Sequence, residues 1–477
     1  MDPTTQRGTL DTPGYRRTVG LFSATMLIAG SMIGSGVFIV AADMVRTGGS
    51  GRFLIAAWVL TAVLTVLAAL SYGELAGMFP KAGGQYTYLR EIYGPTVGFL
   101  YGWTFFLVIG SGTIAAVAVG FGKYLGSFLP GVSETAWLAG PWTVPALKVG
   151  GITVGPYPFG LTTARAAGIV VMVFLSWVNT RGVHLGTKIQ NVFTVTKIGS
   201  VAGLILLGLL LAPRVAPDPA PYVAPAAVPV LPFLVALLVV QTGSLFSADA
   251  WNAITFIAGE VKEPKRTIPL SLFIGTGLVC GLYILINLIY VKVLGPTGIA
   301  AAPNDRVGSA ALQALLGPAG GKVMAGAVLI SMFGCINGLV LAYARVVQAM
   351  AADGLFLAPA ARLNAAGVPG TALALQAAWT AFLAMSGSYG QLLDYVIFAA
   401  LLFYVLTVGG VVVLRIRRPD LDRPVKVFAY PLLPLLYLVG GVSIMVALLI
   451  YKPDFTWPGL FLVLLGWPVY FLTRRGR

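Results

Sequence analysis

Twelve stretches of the chain are mostly apolar over about the 20 residues that a helix needs to cross the hydrocarbon core of a bilayer. They lie at about residues 20–44, 53–78, 95–125, 164–180, 188–212, 230–258, 268–292, 321–352, 370–387, 391–414, 429–450 and 456–473. No water reaches a backbone N–H or C=O in hydrocarbon, so each stretch must close its hydrogen bonds within itself, as a helix does. The expected fold class is an all-α integral membrane protein with 12 transmembrane helices. The first stretch is too long for a secretory signal, lacks a small-residue cleavage pattern and is followed by eleven more. Composition points the same way. Only 10% of the 477 residues are Asp, Glu, Lys or Arg and 58% are hydrophobic, whereas a soluble domain carries about 25% charged residues. Mean hydropathy is +0.88. An ordinary soluble enzyme is excluded.

Lys and Arg exceed Asp and Glu by 15, an excess that would suggest a nucleic-acid partner in a soluble protein. Placed on the twelve stretches, the charges read differently. Twenty basic residues fall on the side that holds both termini, among them Arg16, Lys81, Arg90, Lys262, Arg345, Arg415 and Arg474. Ten fall on the other side, including Arg46, Lys123, Arg306 and Lys452. Basic residues accumulate on the cytoplasmic face, so both termini are expected there and no nucleic acid is expected. Compactness and the absence of targeting extensions suggest a prokaryotic inner membrane. Cys280 and Cys335 both lie inside apolar runs, and His184 is the one histidine, so no disulfide framework, metal cluster or cofactor is expected.

Residues 20–212 and 230–414 each hold five stretches, and an odd number per unit inverts the second copy, as in transporters with inverted repeats. A cytoplasmic tail (1–19), two appended helices (429–473) and a short C-terminus (474–477) complete the expected organisation. The first stretch of each half is interrupted. In the first, Gly30, Gly34 and Gly36 are flanked by Ser31 and Ser35; in the sixth, small and polar residues run from Thr242 to Asn252. Such breaks survive in lipid only where they line a cavity or meet a ligand. The half-helix beyond a break offers N–H groups and a positive dipole end to an anion, and the half before it offers carbonyls to a cation. A zwitterion with a carboxylate and an ammonium on one carbon fits both. The competing interpretation is that Gly34 and Gly36 only let helices pack closely.

These residues resemble the amino acid–polyamine–organocation superfamily, and within it the L-amino-acid transporter branch. Four motifs carry the resemblance: GSMIGSGVF at 30–38, PKAGGQYTYLREIYGP at 80–95, FSADAWNAITFIAGEVKEPKRTIP at 246–269 and INGLVLAYARVVQAMAADGLF at 336–356. The resemblance covers nearly the whole chain. It implies a LeuT-type bundle of five plus five inverted helices with discontinuous helices 1 and 6, and transport of amino acids by alternating access.

By both lines of reasoning the substrate carboxylate should meet backbone N–H groups at Ser35, Gly36 and Val37, with Gly34 allowing close approach. The ammonium should meet carbonyls near Ile33 and at Phe246, Ser247 and Asp249. The resemblance makes Phe246 an aromatic gate over the substrate, although it could be an ordinary packed Phe. Asp249 lies just before the second half-helix, where a carboxylate suits an N-cap, and this is preferred to a proton-coupling or ammonium-binding role. Lys197 sits deep in the fifth stretch, where an unpaired ammonium is too costly. In the family, a lysine here occupies the region where sodium-coupled relatives hold sodium, which implies sodium independence; a lysine that snorkels to the membrane surface is the alternative. Ser331, Asn337 and Tyr343 of the eighth stretch are candidates for the pocket or as partners of the lysine. Ser111 with its neighbours in the third is expected near the substrate side chain, the alternative being that these small residues only pack helices. Glu74, Glu260, Lys262, Lys265 and Arg266 are expected to anchor the cytoplasmic interface, while the family supports an inner gate of ion pairs. His184 is expected in a loop.

The expected function is sodium-independent transport, by exchange, of neutral L-amino acids. The alternatives are a proton symporter, a carrier of cationic amino acids or polyamines, and a membrane-embedded enzyme. The last lacks the nucleophile, base or metal ligands that it would need. Animal relatives pair through a cysteine in the loop after the third helix. The loop at 126–163 has none, so no disulfide-linked ancillary subunit is expected, and the partners are the amino acid and membrane lipid.

Overall fold

A computed structural model describes residues 17–145, 147–149, 152–154, 157–215, 220–223, 231–387 and 389–475. Outward-facing positions along the helices are apolar, such as Val170, Phe174, Leu206, Leu209, Val439 and Leu472, whereas Gln190, Lys197, Gln241 and Asn287 are buried. This inverts the arrangement of a soluble protein and suits a lipid surround.

The first apolar stretch forms two helices. α1 (Leu21–Met32) ends where Ile33 leaves helical geometry at φ −75°, ψ 86°. A single 3₁₀ turn, Gly36–Phe38, follows, and α2 (Ala41–Gly48) resumes the helix. The Ser50 hydroxyl accepts from the Phe53 N–H and so caps α3 (Gly51–Met78). A short helix, α4 (Gln85–Tyr93), lies in the next connection. α5 (Pro95–Thr104), a π turn (Phe105–Ile109) and α6 (Gly110–Leu125) form one continuous rod.

The segment after α6 departs from the all-α expectation. β1 (Trp137–Val144) pairs antiparallel with β4 (Tyr157–Thr162), and β2 (Leu147–Val149) pairs with β3 (Ile152–Val154). Trp, Thr, Val and Phe favour the pleated backbone, and this segment is free of the bilayer's demand for helix.

α7 (Thr163–Asn179) and α8 (Val183–Leu211) follow, joined by a turn at Gly182, whose φ of +135° suits glycine alone. α8 starts at once after that turn, so position 184 falls in its first helical turn and not in a loop as expected. α9 (Phe233–Val239) and α10 (Gln241–Ser247) lead to the second break, after which α11 (Ala253–Phe256) spans a single turn. The remaining helices are α12 (Pro264–Ala300), α13 (Val307–Leu316), α14 (Pro318–Ala352), α15 (Gly370–Ser386), α16 (Tyr389–Arg417), α17 (Leu432–Tyr451) and α18 (Pro453–Arg475).

Among the described residues, seven helical stretches are long and apolar enough to cross a membrane: Gly51–Met78, Pro95–Leu125, Ile189–Leu211, Pro264–Ala300, Pro318–Ala352, Leu392–Arg417 and Leu432–Tyr451. Shorter apolar helices, Leu21–Met32, Thr163–Asn179, Phe233–Ser247 and Thr456–Leu472, fall on four of the other expected stretches, and α15 falls on 370–387. A further short apolar helix, Val307–Leu316, lies where no stretch was expected. α1 packs against α8, α12 and α14, and α10 against α3 and α16, which sets both breaks inside the bundle. α17 packs against α16, α3 and α9, and α18 against α5 and α16.

Candidate functional site

The two interrupted helices meet at their interruptions. A cavity of only about 10 Å³ lies between them, walled by Ser31, Met32, Gly34, Ser35 and Gly36 on one side and Phe246, Ser247, Asp249 and Ala250 on the other. Thr113 and Val117 of α6 and Cys335 and Leu339 of α14 complete the wall. This is room for about one water molecule, which needs roughly 10–15 Å³ by the same measure, and far too little for an amino acid, so the walls stand nearly closed on each other. A Cβ added at Gly36 would come within 2.9 Å of the Ser247 Cα; glycine there lets the two breaks touch. Gly36 and Val37 open the 3₁₀ turn, and the first N–H groups of a helical turn have no acceptor within it. On the other break, Ala250 has φ +64°, a left-handed conformation that costs an L-residue with a Cβ roughly 1–2 kcal/mol.

Most of the carbonyls freed by the first break are already engaged. The Lys197 ammonium donates to the Gly30 carbonyl at 2.6 Å and to the Ile33 carbonyl at 3.0 Å, and the lysine is 1% exposed. It therefore does not snorkel to a surface. Ser331 Oγ also donates to the Ile33 carbonyl at 2.9 Å, and Cys335 Sγ to that of Ser31 at 3.0 Å. From α12, the Tyr283 hydroxyl stands 2.9 Å from the Met32 carbonyl and 3.0 Å from the Ser247 carbonyl, joining the two breaks. Tyr283 was not anticipated from the sequence. A tyrosine in mid-stretch, four residues before Asn287, was the signal available.

Asp249 does not cap the second half-helix. The break runs from Ala248 to Asn252, so the N-cap position of α11 is Asn252, which makes no side-chain cap bond. The Asp249 carboxylate instead accepts from the Tyr404 hydroxyl of α16 at 2.5 Å. Asn252 donates to Gln85 of α4 at 3.2 Å. Asn337 is turned away from the breaks: it donates to the Gly186 carbonyl at 3.0 Å and to Gln190 at 3.2 Å, and accepts from Asn179 at 2.9 Å. Ser111 is buried but lies outside the cavity wall, where Thr113 and Val117 stand. Tyr343 packs edge-on against Phe105 and Phe256.

Ion pairs close the bundle at both ends. At the end where the chain enters α1, Glu260 pairs with Arg345 of α14, and Glu74 accepts from Arg415 at 3.0 and 2.6 Å and from the Val427 N–H at 2.8 Å. Both carboxylates are buried, which contradicts the expectation that they anchor an interface. Lys262, Lys265 and Arg266 are exposed, as anchoring requires. Burial pushes the Glu260 carboxyl above its ordinary value, and Arg345 pulls it back part of the way. Asp353 accepts from Tyr86 at 2.7 Å and pairs with Arg90. Burial works most strongly against the Arg90 charge, but Asp353 and Glu91 together more than offset it and hold the guanidinium above its ordinary range. The backbone also closes this end: the Thr18 and Val19 N–H groups donate to the Glu260 carbonyl, and Lys262 N–H to that of Val19. At the opposite end, Arg46 reaches the Ala300 carbonyl and Asp305, and Lys452 pairs with Asp394 at 3.0 Å.

A family model described as amino acid permease matches residues 19–470. The chain is 30% identical over 467 residues to the large neutral amino acids transporter small subunit 2 of Mus musculus, covering 96% of this chain and 81% of that protein. It is 28% identical over 466 residues to the serine/threonine exchanger SteT of Bacillus subtilis (strain 168), covering 97% and 98%. Against the Asc-type amino acid transporter 1 of Homo sapiens the identity is 29% over 466 residues, covering 98% and 84%.

Proposed function

Because the chain belongs to the amino acid permease family, and to the L-amino-acid transporter branch of the amino acid–polyamine–organocation superfamily, we propose that it exchanges neutral L-amino acids across the membrane without sodium. It is a multi-pass membrane transporter of amino acids, not an enzyme.

The observation that carries the proposal is the Lys197 ammonium, 2.6 Å and 3.0 Å from the carbonyls of Gly30 and Ile33. A positive charge fixed to the chain holds the oxygens that a sodium ion at this break would need. In our reading, the substrate carboxylate binds the N–H groups of Ser35, Gly36 and Val37 beside Gly34. The ammonium binds at Phe246, Ser247 and Asp249. The Ile33 carbonyl, engaged by Lys197 and Ser331, is secondary. Phe246 closes over the substrate, and Thr113, Val117 and Cys335 meet its side chain.

The same reading arranges the chain as twelve transmembrane helices, with residues 20–212 and 230–414 as inverted five-helix repeats and 429–473 as two appended helices. Both termini face the cytoplasm of a cell whose inner membrane holds the protein, which works without a disulfide-linked subunit. Alternating access then consists of α1 and the α10–α11 pair moving against the rest, with the Glu260–Arg345 pair breaking when the site opens inward.

Counterflow in proteoliposomes tests this. Labelled alanine or leucine should enter only vesicles preloaded with amino acid, equally with and without sodium. Uptake into empty vesicles, or dependence on sodium, would overturn it. A second reading, carriage of cationic amino acids, is favoured by Asp249 in the cavity wall. Strong competition by lysine or arginine and weak competition by leucine would support that reading instead.

A further inference from the structure

A cavity of about 500 Å³ lies away from the two breaks, framed by the π turn and α6, by α15, α16 and α18, and by the β1–β4 hairpin. It is well within the roughly 300–1,000 Å³ of ordinary ligand sites. Val108, Gly112, Trp379, Phe382 and Leu462 set its character. The Trp379 indole N–H donates to the Leu107 carbonyl at 2.9 Å, and the Ser386 hydroxyl to the Leu383 carbonyl at 2.8 Å. These two groups are spent on the backbone, the rest of the wall is apolar apart from Tyr157, and among the described residues no charged side chain lines the space. Water needs two to four polar partners to stay in a cavity, and a zwitterion needs more. The occupant must be apolar.

The mouth of the cavity shows which apolar molecule fits. Phe382, in the cavity wall, is 48% exposed, and Trp142 of β1 and Trp457 and Phe461 of α18, the elements that frame the cavity, are exposed as well, so the cavity opens toward the lipid-facing surface of α15 and α18. An aromatic ladder forms its rim: Trp142 to Phe159 at 6.2 Å, Phe159 to Phe382 at 5.4 Å and Phe382 to Trp379 at 5.2 Å. Tryptophan-rich rims sit at the level of lipid headgroups. A long apolar chain can enter sideways from the bilayer while its polar end stays beside the hairpin.

We propose that this cavity binds one acyl chain of a membrane phospholipid, with the headgroup at the level of the β1–β4 hairpin. Gly112 lines this cavity and the next residue, Thr113, lines the cavity between the breaks. A bound chain therefore packs against the same turn of α6 that walls the transport site.

Photolabelling tests the proposal on the full chain in lipid nanodiscs, using a phosphatidylglycerol with a diazirine near the middle of one acyl chain. Adducts mapped by peptide mass spectrometry should concentrate on residues 379–387 and 457–462. Filling the space by Leu383→Trp or Leu462→Trp should lower them about tenfold, with size-exclusion profile and melting temperature retained. In the wild type, where folding is not at issue, excess unlabelled long-chain phospholipid should compete and the amino acid substrate should not. Adducts spread evenly over outward faces such as those of α7 and α17 would overturn the proposal. So would labelling that persists in the filled variants, or labelling by a diazirine fatty acid but not by the phospholipid.

Discussion

The Arg345 guanidinium donates to the Glu260 carboxylate at 3.0 Å, and each side chain is 1% exposed. The same Glu260 carries the backbone carbonyl that receives the Thr18 and Val19 N–H groups. One residue thus ties the start of α1, the end of the second interrupted helix and α14 together.

Removing one partner of such a pair strands the other, at a cost of about 3–5 kcal/mol when it stays buried. Opening this end would hydrate Arg345, so Glu260→Ala should favour the open form. In a Cys280→Ser background, maleimide labelling of Cys335, which is buried in the cavity wall, should rise, and Glu260→Ala with Arg345→Ala should label less than Glu260→Ala alone. Labelling equal to that of the parent would remove the pair from the gate.

Lys197→Ala leaves the Gly30 and Ile33 carbonyls without their cation and should lower exchange on the order of 100-fold, the scale of a misplaced binding geometry. Lys197→Arg should not restore it, because a planar guanidinium cannot replace a compact ammonium between two carbonyls. Initial rates of counterflow, with and without sodium, provide the measurement. Unchanged turnover and an unchanged sodium response would refute the role given to this lysine.

Gly36→Ala drives a methyl group into Ser247 and should separate the breaks, raising KM about tenfold or more, the equivalent of ~1.4 kcal/mol. Gly203→Ala on α8 is the control, since nothing lies within 4 Å of a Cβ there; it should match the parent in KM. Equal KM values in all three proteins would show that the close contact of Gly36 with Ser247 is dispensable.

Ala250→Gly relieves a left-handed φ of +64°. Glycine is also freer in the unfolded chain, so the net gain should be about 1 kcal/mol or less, from the roughly 1–2 kcal/mol strain. Thermal melting in detergent should show a small rise, and a clear fall would mean that the Ala250 side chain stabilises the break by packing.

The breaks were legible because glycine, serine and threonine inside a lipid-length apolar run contradict the environment that the rest of the run demands. Lys197 was legible as a buried, paired ammonium for the same reason, while its place at the first break was implied by the family resemblance and not by spacing along the chain. The partners of other buried polar groups were not. Asp249 meets Tyr404, 155 positions away, and Asn337 meets Asn179 and Gln190; their spacing along the chain does not specify those pairs. Thr113 and Val117 look like any small or β-branched residues on a packed helix face. The hairpins were hidden because a window long enough for a membrane helix averages over strands of three to eight residues. Glu74 and Glu260 misled by position: nearness to the ends of apolar stretches suggested water, yet arginines from distant helices enclose them.

The Tyr283 hydroxyl carries one hydrogen and stands between two acceptors, the carbonyls of Met32 and Ser247. It can satisfy only one of them fully at a time. The Met32 carbonyl has a second donor in the Gly34 N–H at 2.8 Å, so the two acceptors are unequal rivals for that hydrogen. A donor arriving at Ser247 would settle the contest and leave the tyrosine to Met32, making the ownership of a single proton a register of whether the space between the breaks is filled.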